Sequence, residues 1–441
     1  MDALARPLTL PCGAVLNNRL AKAAMTEGLA DHDDCASERL VRLYGRWSDG
    51  GAGLLLTGNV MVDRRYLERP GNVVIDANGG EDALAAWAAS GTRAGNHLWM
   101  QINHPGRQCT RMSSNRPVSA SSEPLRGMMG MIAPPRALEV REIHDIIRSF
   151  GRVAATAKRA GFTGVQIHSA HGYLSSQFLS PRANRRTDEW GGSLENRARF
   201  LLQTYHAVRD AVGADFPVSV KLNSADFQKG GFSKEESARV AGWLAGLGVD
   251  LLEISGGTYE QMALLGRDEA SQERKAASTR RREAYFLEYA RDIRSAASDL
   301  PIMVTGGFRT PRLMREVVAS GEVDVIGIAR PFCVAPDVAA QVLSAGLDAL
   351  PAPEKKLRLG PRLFGGSSPS RTLRTLNGQA EVAWFYSQII ALSEGREPDR
   401  DLGVWRALGT HFAREIGTAR RRSFRRSAPA LPASSAPSVD D

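Results

Sequence analysis

Two histidines and a tyrosine lie close together near the middle of the chain. His168 and His171 are three residues apart, and Tyr173 follows within the same segment, IHSAHGYLSSQFLSPRANRRTDEWGGSLENR at 167–197. Neutral imidazoles can donate N–H groups to an oxygen on which negative charge develops, and a phenol can supply a proton. A lone histidine is usually structural, whereas a pair at this spacing beside a predicted strand end is a candidate for such chemistry.

A second set of residues has the types that bind phosphate. Gly306 and Gly307 follow one apolar run, and Ala329 and Arg330 follow the next. Glycines let backbone N–H groups approach an anion closely. With polar side chains elsewhere in the site, such an anion suits a planar phosphorylated cofactor. The alternative interpretation is that the glycines only form turns.

These groups need elements that bring them together. Short apolar runs alternate with amphipathic stretches along most of the chain, which indicates a parallel sheet covered by helices. Eight near-regular units favour a closed α/β structure, the (β/α)8 TIM barrel, over an open doubly wound sheet. The predicted strands cover 19–24, 52–57, 98–103, 163–168, 217–223, 249–255, 301–306 and 323–329. The predicted helices cover about 37–49, 81–95, 141–160, 194–212, 234–247, 281–297 and 311–320, with a weaker one from Pro336.

The C-terminal ends of the strands form the mouth of such a barrel, where the active site lies and where the last two loops often bind phosphate. Strands one to five contribute hydrogen-bonding side chains there, whereas the last strands contribute glycines and one arginine. The residues at or just after the ends of these strands include Met25, Thr26, Gly58, Asn59, Gln101 and Lys221, which are therefore candidates for contacting a ligand at the mouth.

Three further segments complete the predicted organisation. The barrel is expected over residues 1–345, with an insert at 104–140 that we interpret as a lid, or alternatively as a mobile surface loop. Residues 346–426, the C-terminal extension, are predicted to be helical. Residues 427–441 are rich in Ala, Pro and Ser and are predicted to be disordered.

Composition narrows the classes of function. The chain has four scattered cysteines, so neither a clustered metal site nor disulfides are expected. No apolar run approaches the roughly 20 residues that span a bilayer, and no secretory signal is visible, so we expect a cytoplasmic protein. The net charge of +9 lies partly in an arginine-rich segment at 420–426, so nucleic acid is not an expected partner. No dinucleotide fingerprint or P-loop is present.

The segment at 167–197 resembles the signature of the Old Yellow Enzyme family of NAD(P)H:flavin oxidoreductases. Further similar pieces are NNRLAKAAMTEG at 17–28, MQINHPGRQ at 100–108 and ARPF at 329–332, in the right order over about residues 5–345. The resemblance implies non-covalently bound FMN, with NADH or NADPH as reductant. It further implies an ene-reductase, which reduces an activated C=C bond of a small α,β-unsaturated carbonyl compound by hydride transfer from flavin N5.

The resemblance also implies roles for single residues. His168 and His171 match the pair that binds the carbonyl oxygen of the substrate, and Tyr173 matches the proton donor. The residues matched to the flavin are Met25 and Thr26 beside the ring and the N5/O4 edge, Asn59 and Gln101 near the pyrimidine ring, and Lys221 near N1 and O2. The residues matched to the phosphate are Gly306, Gly307, Ala329 and Arg330.

The sequence departs from the family pattern at three positions and does not give the substrate. Ala329 stands where the family often has Gly, Thr26 replaces the Cys of some members, and Gly28 replaces the Tyr of some members. The alternatives are another FMN-dependent dehydrogenase or demethylase of the family, a flavin-dependent RNA-modifying barrel of the dihydrouridine synthase kind, and a flavin-binding barrel without turnover. The sequence also leaves open a homo-oligomer.

Overall fold

The apolar runs predicted as strands form a closed barrel in the computed structural model of the chain. The structure describes residues 2–125, 130–226, 228–255, 288–360, 365 and 368–427. The predicted helix start at 281–287 and the tail from residue 428 onward lie outside the described residues, as does the segment 126–129 within the insert.

Eight parallel strands of the described residues make the ring, with β3 paired to both β4 and β13. In chain order the strands are β1 (Leu8–Thr9), β2 (Val15–Leu16), β3 (Leu20–Lys22), β4 (Leu54–Met61), β5 (Val73–Val74), β6 (His97–Asn103), β7 (Val118–Ser119), β8 (Arg136–Ala137), β9 (Gly164–Ser169), β10 (Val218–Asn223), β11 (Leu251–Ser255), β12 (Ile302–Thr305) and β13 (Val325–Ile328). The order around the ring is β3, β4, β6, β9, β10, β11, β12 and β13. The predicted (β/α)8 fold is therefore confirmed.

Helices cover the outside of the ring, and local sequence fixes where some of them begin. Ser233 and Glu236 form a capping box, in which each side chain accepts from the other's backbone N–H at 3.2 Å. The helices are α1 (Glu38–Ser48), α2 (Glu81–Gly91), α3 (Val140–Arg159), α4 (Leu174–Leu179), α5 (Leu194–Val212), α6 (Lys234–Gly246), α7 (288–296), α8 (Pro311–Ala319), α9 (Pro331–Val334), α10 (Val338–Leu343), α11 (Arg371–Ser393) and α12 (Val404–Ser427).

One end of the barrel is closed by the antiparallel hairpin of β1 and β2. Leu10 and Leu16 of this hairpin are buried and form one apolar cluster with inward-facing strand residues such as Trp99, Leu251 and Met303. Because this end is filled with apolar side chains, polar groups can gather only at the opposite end, the mouth. Every residue of β9, β10 and β11 is buried, as expected for parallel strands that are covered on both faces.

The second barrel strand differs from the sequence prediction. The predicted strand ends at residue 57, with Gly58 and Asn59 after it, whereas β4 continues to Met61 and contains both residues. The reason is pairing with β6, where Asn59 lies opposite Gln101 after a register shift that begins at Leu56. This irregularity resembles a bulge, a feature that re-aims side chains next to active sites.

The insert at 104–140 contains a short parallel pair of strands, β7 and β8. It is fastened to the segment after β9, because Ser119 Oγ donates to Gln177 Oε1 at 2.9 Å. Arg186 Nη1 also donates to the backbone oxygen of Leu138 at 2.7 Å. These contacts hold the described part of the insert against the barrel, and its role as a lid stays a prediction.

The C-terminal extension is helical, as predicted, and consists mainly of α11 and α12. It lies against the first and last α/β units of the barrel. Arg42 Nη1 donates to Ser393 O at 2.7 Å, Arg39 pairs with Glu394 at 3.0 Å, and Arg400 donates to the backbone of α9. None of the helices described in the structure is long and apolar enough to cross a membrane.

Candidate active site

The histidine pair and the tyrosine lie together at the mouth. His168 is the next-to-last residue of β9, whereas His171 and Tyr173 lie in the turn that leads into α4. The ring centroid of His168 is 5.1 Å from that of His171 and 4.8 Å from that of Tyr173. His168 and Tyr173 are buried, and His171 is partly buried. The three predicted catalytic residues therefore form one cluster.

The backbone of His171 is in the left-handed region, with φ of 60°. A residue other than glycine seldom adopts this conformation, and such strain is concentrated at functional sites. Two neighbours hold it in place. The His171 N–H donates to Asn223 Oδ1 at 3.0 Å, and its carbonyl accepts from Gln108 Nε2 at 2.8 Å. A side chain from β10 and one from the insert thus fix the position of the imidazole.

Both imidazoles are kept neutral by their surroundings. Burial lowers the pKa of His168 well below its usual range, and the neighbouring His171 and the charge of Lys221 lower it further. Burial and Lys221 likewise lower the pKa of His171. The backbone N–H of Ala170 donates to His168 Nδ1 at 3.2 Å, so the proton of the neutral ring is on Nε2. His171 Nε2 lies 2.7 Å from Ser255 Oγ.

The hydroxyl of Tyr173 is joined to residues at the ends of the first two barrel strands. Asn59 Nδ2 donates to it at 3.3 Å and also contacts Thr26 Oγ1 at 3.3 Å. Glu68 accepts from Asn59 Nδ2 at 2.6 Å and from Thr26 Oγ1 at 2.9 Å. The continuation of β4 through Asn59 makes this network, because it turns that side chain toward Tyr173.

Gln101 and Lys221 are connected beneath the mouth through two other side chains. Gln101 Nε2 donates to Gln166 Oε1 at 2.7 Å, and Gln166 Nε2 donates to Glu253 Oε2 at 2.8 Å. Lys221 Nζ lies 2.8 Å from Glu253 Oε1. All four side chains are buried. Gln101, expected near the pyrimidine ring, and Lys221, expected near N1 and O2, are therefore parts of one polar chain that crosses β6, β9, β11 and β10.

Gly58 is required by close approach between the first two strands. Its N–H donates to Glu27 Oε1 at 2.9 Å, and a Cβ at this position would lie 2.5 Å from the carbonyl oxygen of Met25. Burial raises the pKa of Glu27. Burial also lowers the pKa of Lys22, which donates to the Leu56 carbonyl at 2.6 Å, to about 8. These buried groups fix the loop that carries Met25 and Thr26.

The predicted phosphate residues follow two adjacent strands. Gly306 and Gly307 come after β12 with φ of 141° and 76°, a region that glycine adopts readily. Ala329 and Arg330 come after β13, which pairs with β12. Both glycines thus lie at the same end of the barrel as the residues that follow β13.

Arg330 is held by carboxylates from the C-terminal extension. Its Nη1 lies 2.8 Å from Glu381 Oε1, and its Nη2 lies 3.7 Å from Glu354 Oε1. Glu354 also pairs with Arg309 at 2.6 Å. The structure therefore brings Arg330 to the expected end of the barrel but shares its positive charge with two acidic side chains.

A comparison of the sequence with protein families decides the identity. The model of the NADH:flavin oxidoreductase / NADH oxidase family matches residues 3–347, which is the whole barrel. This protein is a member of the Old Yellow Enzyme family. The resemblance read from the segment at 167–197 is thereby confirmed, and so is its assignment as an oxidoreductase that uses FMN and takes electrons from NADH or NADPH.

Relatives extend this family assignment. The chain is 38% identical over 351 residues to the NADH-dependent flavin oxidoreductase iliE of Hypocrea jecorina (strain QM6a), covering 75% of this chain and 86% of the relative. It is 34% identical over 416 residues to the NADH-dependent flavin oxidoreductase iccE of Talaromyces variabilis, covering 89% and 98%. The second similarity therefore reaches beyond the barrel into the C-terminal extension.

Solved structures agree on the fold. Morphinone reductase superposes with a TM-score of 0.65 at 24% identity, covering 84% of this chain and 94% of that chain. The Old Yellow Enzyme homologue from Zymomonas mobilis superposes with a TM-score of 0.65 at 23% identity, covering 81% and 97%. At such identities the superpositions show the fold alone.

The residues of this Old Yellow Enzyme family member fit FMN. Asn59 Oδ1 and Thr305 Oγ1 are buried and have no hydrogen-bond partner within the described part of the chain, so both retain capacity for a ligand. Gly306 and Gly307 follow β12 and have no side chains, which is the kind of backbone that lets N–H groups approach an anion closely. Within the described ranges, no group of three or more His, Cys, Asp or Glu residues could hold a metal ion.

Three residues at this site were missed by the sequence analysis. Glu68 joins Thr26 to Asn59, Ser255 contacts His171, and Glu253 pairs with Lys221. Ser255 and Glu253 occur in the apolar run LLEIS, where a glutamate is unusual and is a usable signal of a buried polar contact. Glu68 lies in a polar loop and carries no such signal.

Proposed function

We propose that the protein is an ene-reductase, in which His168, His171 and Tyr173 act on an α,β-unsaturated carbonyl compound held at the mouth. When bound, FMN accepts a hydride from NADH or NADPH and delivers it from N5 to the β-carbon of the substrate. In sum, one hydride and one proton add across the C=C bond, and NAD(P)H is oxidised to NAD(P)+. The observation that carries the proposal is the neutral, oriented histidine pair beside a buried phenol.

His168 has the tautomer that this reaction needs. Because Ala170 N–H donates to Nδ1 at 3.2 Å, the ring proton is on Nε2, where it can be donated to the carbonyl oxygen. The lowered pKa keeps the ring from being protonated near neutral pH. It therefore acts as a hydrogen-bond donor that strengthens as negative charge develops on the oxygen.

His171 can act as the second donor with the help of Ser255. The hydroxyl of Ser255 lies 2.7 Å from His171 Nε2 and is able to donate to it. In that arrangement the proton of the neutral ring is on Nδ1, which is then the donor toward the substrate. Asn223 and Gln108 hydrogen-bond to the backbone N–H and carbonyl of His171. The position of Nδ1 is restrained because this backbone is fixed.

In the proposed reaction, Tyr173 gives a proton to the α-carbon. Asn59 Nδ2 donates to the phenolic oxygen at 3.3 Å, so the phenolic proton is directed away from Asn59. Once it has given this proton, the phenol regains one from solvent. General acid catalysis of this kind contributes about 10²–10⁴-fold to a rate.

The cofactor-binding residues are part of the same proposal. Thr26 and Met25 would contact the ring near N5, Gln101 and Asn59 the pyrimidine side, and Lys221 the N1/O2 edge. Residues Gly58, Gly306, Gly307, Ala329 and Arg330 would complete the site, the last four around the phosphate. We also propose that the barrel ends near residue 345, that the extension follows to 426, and that the insert at 104–140 covers the mouth.

A stopped-flow screen tests the proposal. The bound flavin is reduced anaerobically with NADH or NADPH and then mixed with enones, nitroalkenes or N-methylated compounds. We expect rapid reoxidation by enones, with the saturated ketone as product. Reoxidation by oxygen alone would contradict an ene-reductase, and reoxidation by N-methylated compounds alone would favour a demethylase.

A further inference from the structure

One buried acid lies directly beneath the mouth and has no role in the chemistry above. Glu253 is on β11, and its side chain is fully buried. Its Oε1 lies 2.8 Å from Lys221 Nζ, and its Oε2 accepts from Gln166 Nε2 at 2.8 Å. A buried carboxylate is costly unless it is paired and hydrogen-bonded, and these two contacts meet both requirements.

The contact between Glu253 and Lys221 is mainly electrostatic. The two atoms are close, but their angle does not make a hydrogen bond, since Glu253 Oε1 has no hydrogen-bond partner in the described residues. The Lys221 side chain is 4% exposed, so solvent screens the pair little. The register of β10 and β11 places the two residues directly opposite each other, which fixes the contact.

The charge of Lys221 affects both histidines of the site. It lowers the pKa of both His168 and His171, in addition to the effect of burial. Any group that offsets this charge therefore changes the electrostatic environment of whatever is bound at the mouth. Glu253 is in direct contact with Lys221 and carries the opposite charge.

We propose that Glu253 is a positioning residue that lowers the reduction potential of the bound flavin by offsetting the charge of Lys221. The proposal rests on the proposed function, in which Lys221 faces the N1/O2 edge. Two-electron reduction of a flavin places negative charge at that edge, so a cation there favours the reduced form. The carboxylate of Glu253 weakens this preference and makes the reduced cofactor a stronger hydride donor.

The test compares midpoint potentials of FMN-loaded variants, measured against redox dyes. In Glu253→Gln we expect the equilibrium between oxidised and reduced flavin to shift about tenfold toward the reduced form, because one negative charge is lost beside Lys221. For a two-electron couple this is a rise of about 30 mV. Lys221→Gln should shift it in the opposite direction, and the double variant should lie between them.

Glu195→Gln is the matched control, because Glu195 is an exposed acid paired with Arg239 on the outer surface. It should leave the potential unchanged. A potential that stays the same or falls in Glu253→Gln would overturn the inference. If Lys221→Gln binds FMN but has the wild-type potential, the placement of Lys221 in the proposed function is wrong instead.

If Glu253→Gln does not bind FMN, a second variant still tests the inference. Glu253→Asp keeps the charge but withdraws it from Lys221 by one methylene, so a smaller rise in potential is expected. An unchanged or lower potential in this variant would also refute the inference. The reductive half-reaction with NADH should be faster, and enone reduction slower, in whichever variant has the higher potential.

Discussion

The two sides of the barrel mouth are built differently. On the side of β4, β6, β9, β10 and β11, buried side chains from neighbouring strands hold one another through hydrogen bonds. On the side of β12 and β13, the site consists of two glycines and of Arg330, whose side chain pairs with Glu381 and Glu354. We call these the side-chain half and the phosphate half.

The difference indicates where each half obtains its support. The hydrogen bonds just described for the side-chain half join residues inside 3–347, the range that the family model matches. The phosphate half depends on Glu354 and Glu381, which lie beyond that range. These hydrogen bonds therefore belong to the common fold, whereas the contacts of Arg330 with Glu354 and Glu381 depend on the C-terminal extension.

The largest expected effect comes from His168→Ala in the side-chain half. Loss of one donor to a developing oxyanion costs about 10²–10³-fold in rate, so reduction of an enone should slow by that factor. FMN should stay bound, and phenol binding should weaken. Stopped-flow kinetics and flavin absorbance measure these effects, with the exposed His206→Ala as control. Loss of FMN would show that His168 supports the cofactor instead.

Tyr173→Phe should have the next largest effect. The variant keeps the ring that contacts His168 but loses the hydroxyl bonded to Asn59. We expect turnover to fall by about 10²-fold, because general acid catalysis is removed. The rate at which NADH reduces the flavin should not change. A slowing of both half-reactions by the same factor would mean that Tyr173 has only a structural role.

Gly58→Ala tests whether the side-chain half is as tightly built as its contacts indicate. The new Cβ would lie 2.5 Å from the Met25 carbonyl oxygen, so the backbone must move. We expect a loss of about 1–3 kcal/mol in the free energy of unfolding and weaker FMN binding. Urea denaturation measures the first quantity. Gly246→Ala is the matched control, since its Cβ would meet nothing within 4 Å.

Arg330→Gln tests the phosphate half. If Arg330 contacts the phosphate, FMN should bind about tenfold more weakly, the size of one charge-assisted hydrogen bond, whereas riboflavin should bind as before. Titration of the deflavinated protein, followed by flavin fluorescence, measures both affinities. Equal losses for FMN and riboflavin would show that Arg330 only supports the fold through Glu381.

The smallest expected effect is a change in the free energy of unfolding with pH. The pKa values of His168 and His171 are lowered in the folded state, so below about pH 6.5 the unfolded state binds more protons and stability falls. For each of these two histidines, the free energy of unfolding should fall by about 1 kcal/mol between pH 6.5 and pH 5.5. Urea midpoints at the two pH values measure this, and His168→Gln should show a smaller change. A rise in stability toward pH 5.5 would contradict the buried, neutral state.

The proximity of the two histidines to Tyr173 and the position of the two glycines after β12 could be predicted because the relevant signals are local. His168, His171 and Tyr173 fall within one segment, and Gly306 and Gly307 directly follow an apolar run. The end of β4 could not be predicted, since the strand is extended past Gly58 by pairing with β6. Likewise, the partner of Arg330 lies 51 residues away, in a helix whose position no local pattern gives.

By itself, the sequence determined the barrel and the family, because periodic apolar runs and short motifs depend on neighbouring residues alone. It also supplied the residues that we propose as catalytic. Only the tertiary structure decided which partners contact these residues and the residues around them. Three contacts join residues that are far apart in the sequence. Glu68 and Thr26 are 42 positions apart, Ser255 and His171 are 84 apart, and Glu253 and Gln166 are 87 apart. Such contacts arise only when the ring closes, since closure brings distant strands side by side and excludes water from the polar groups between them.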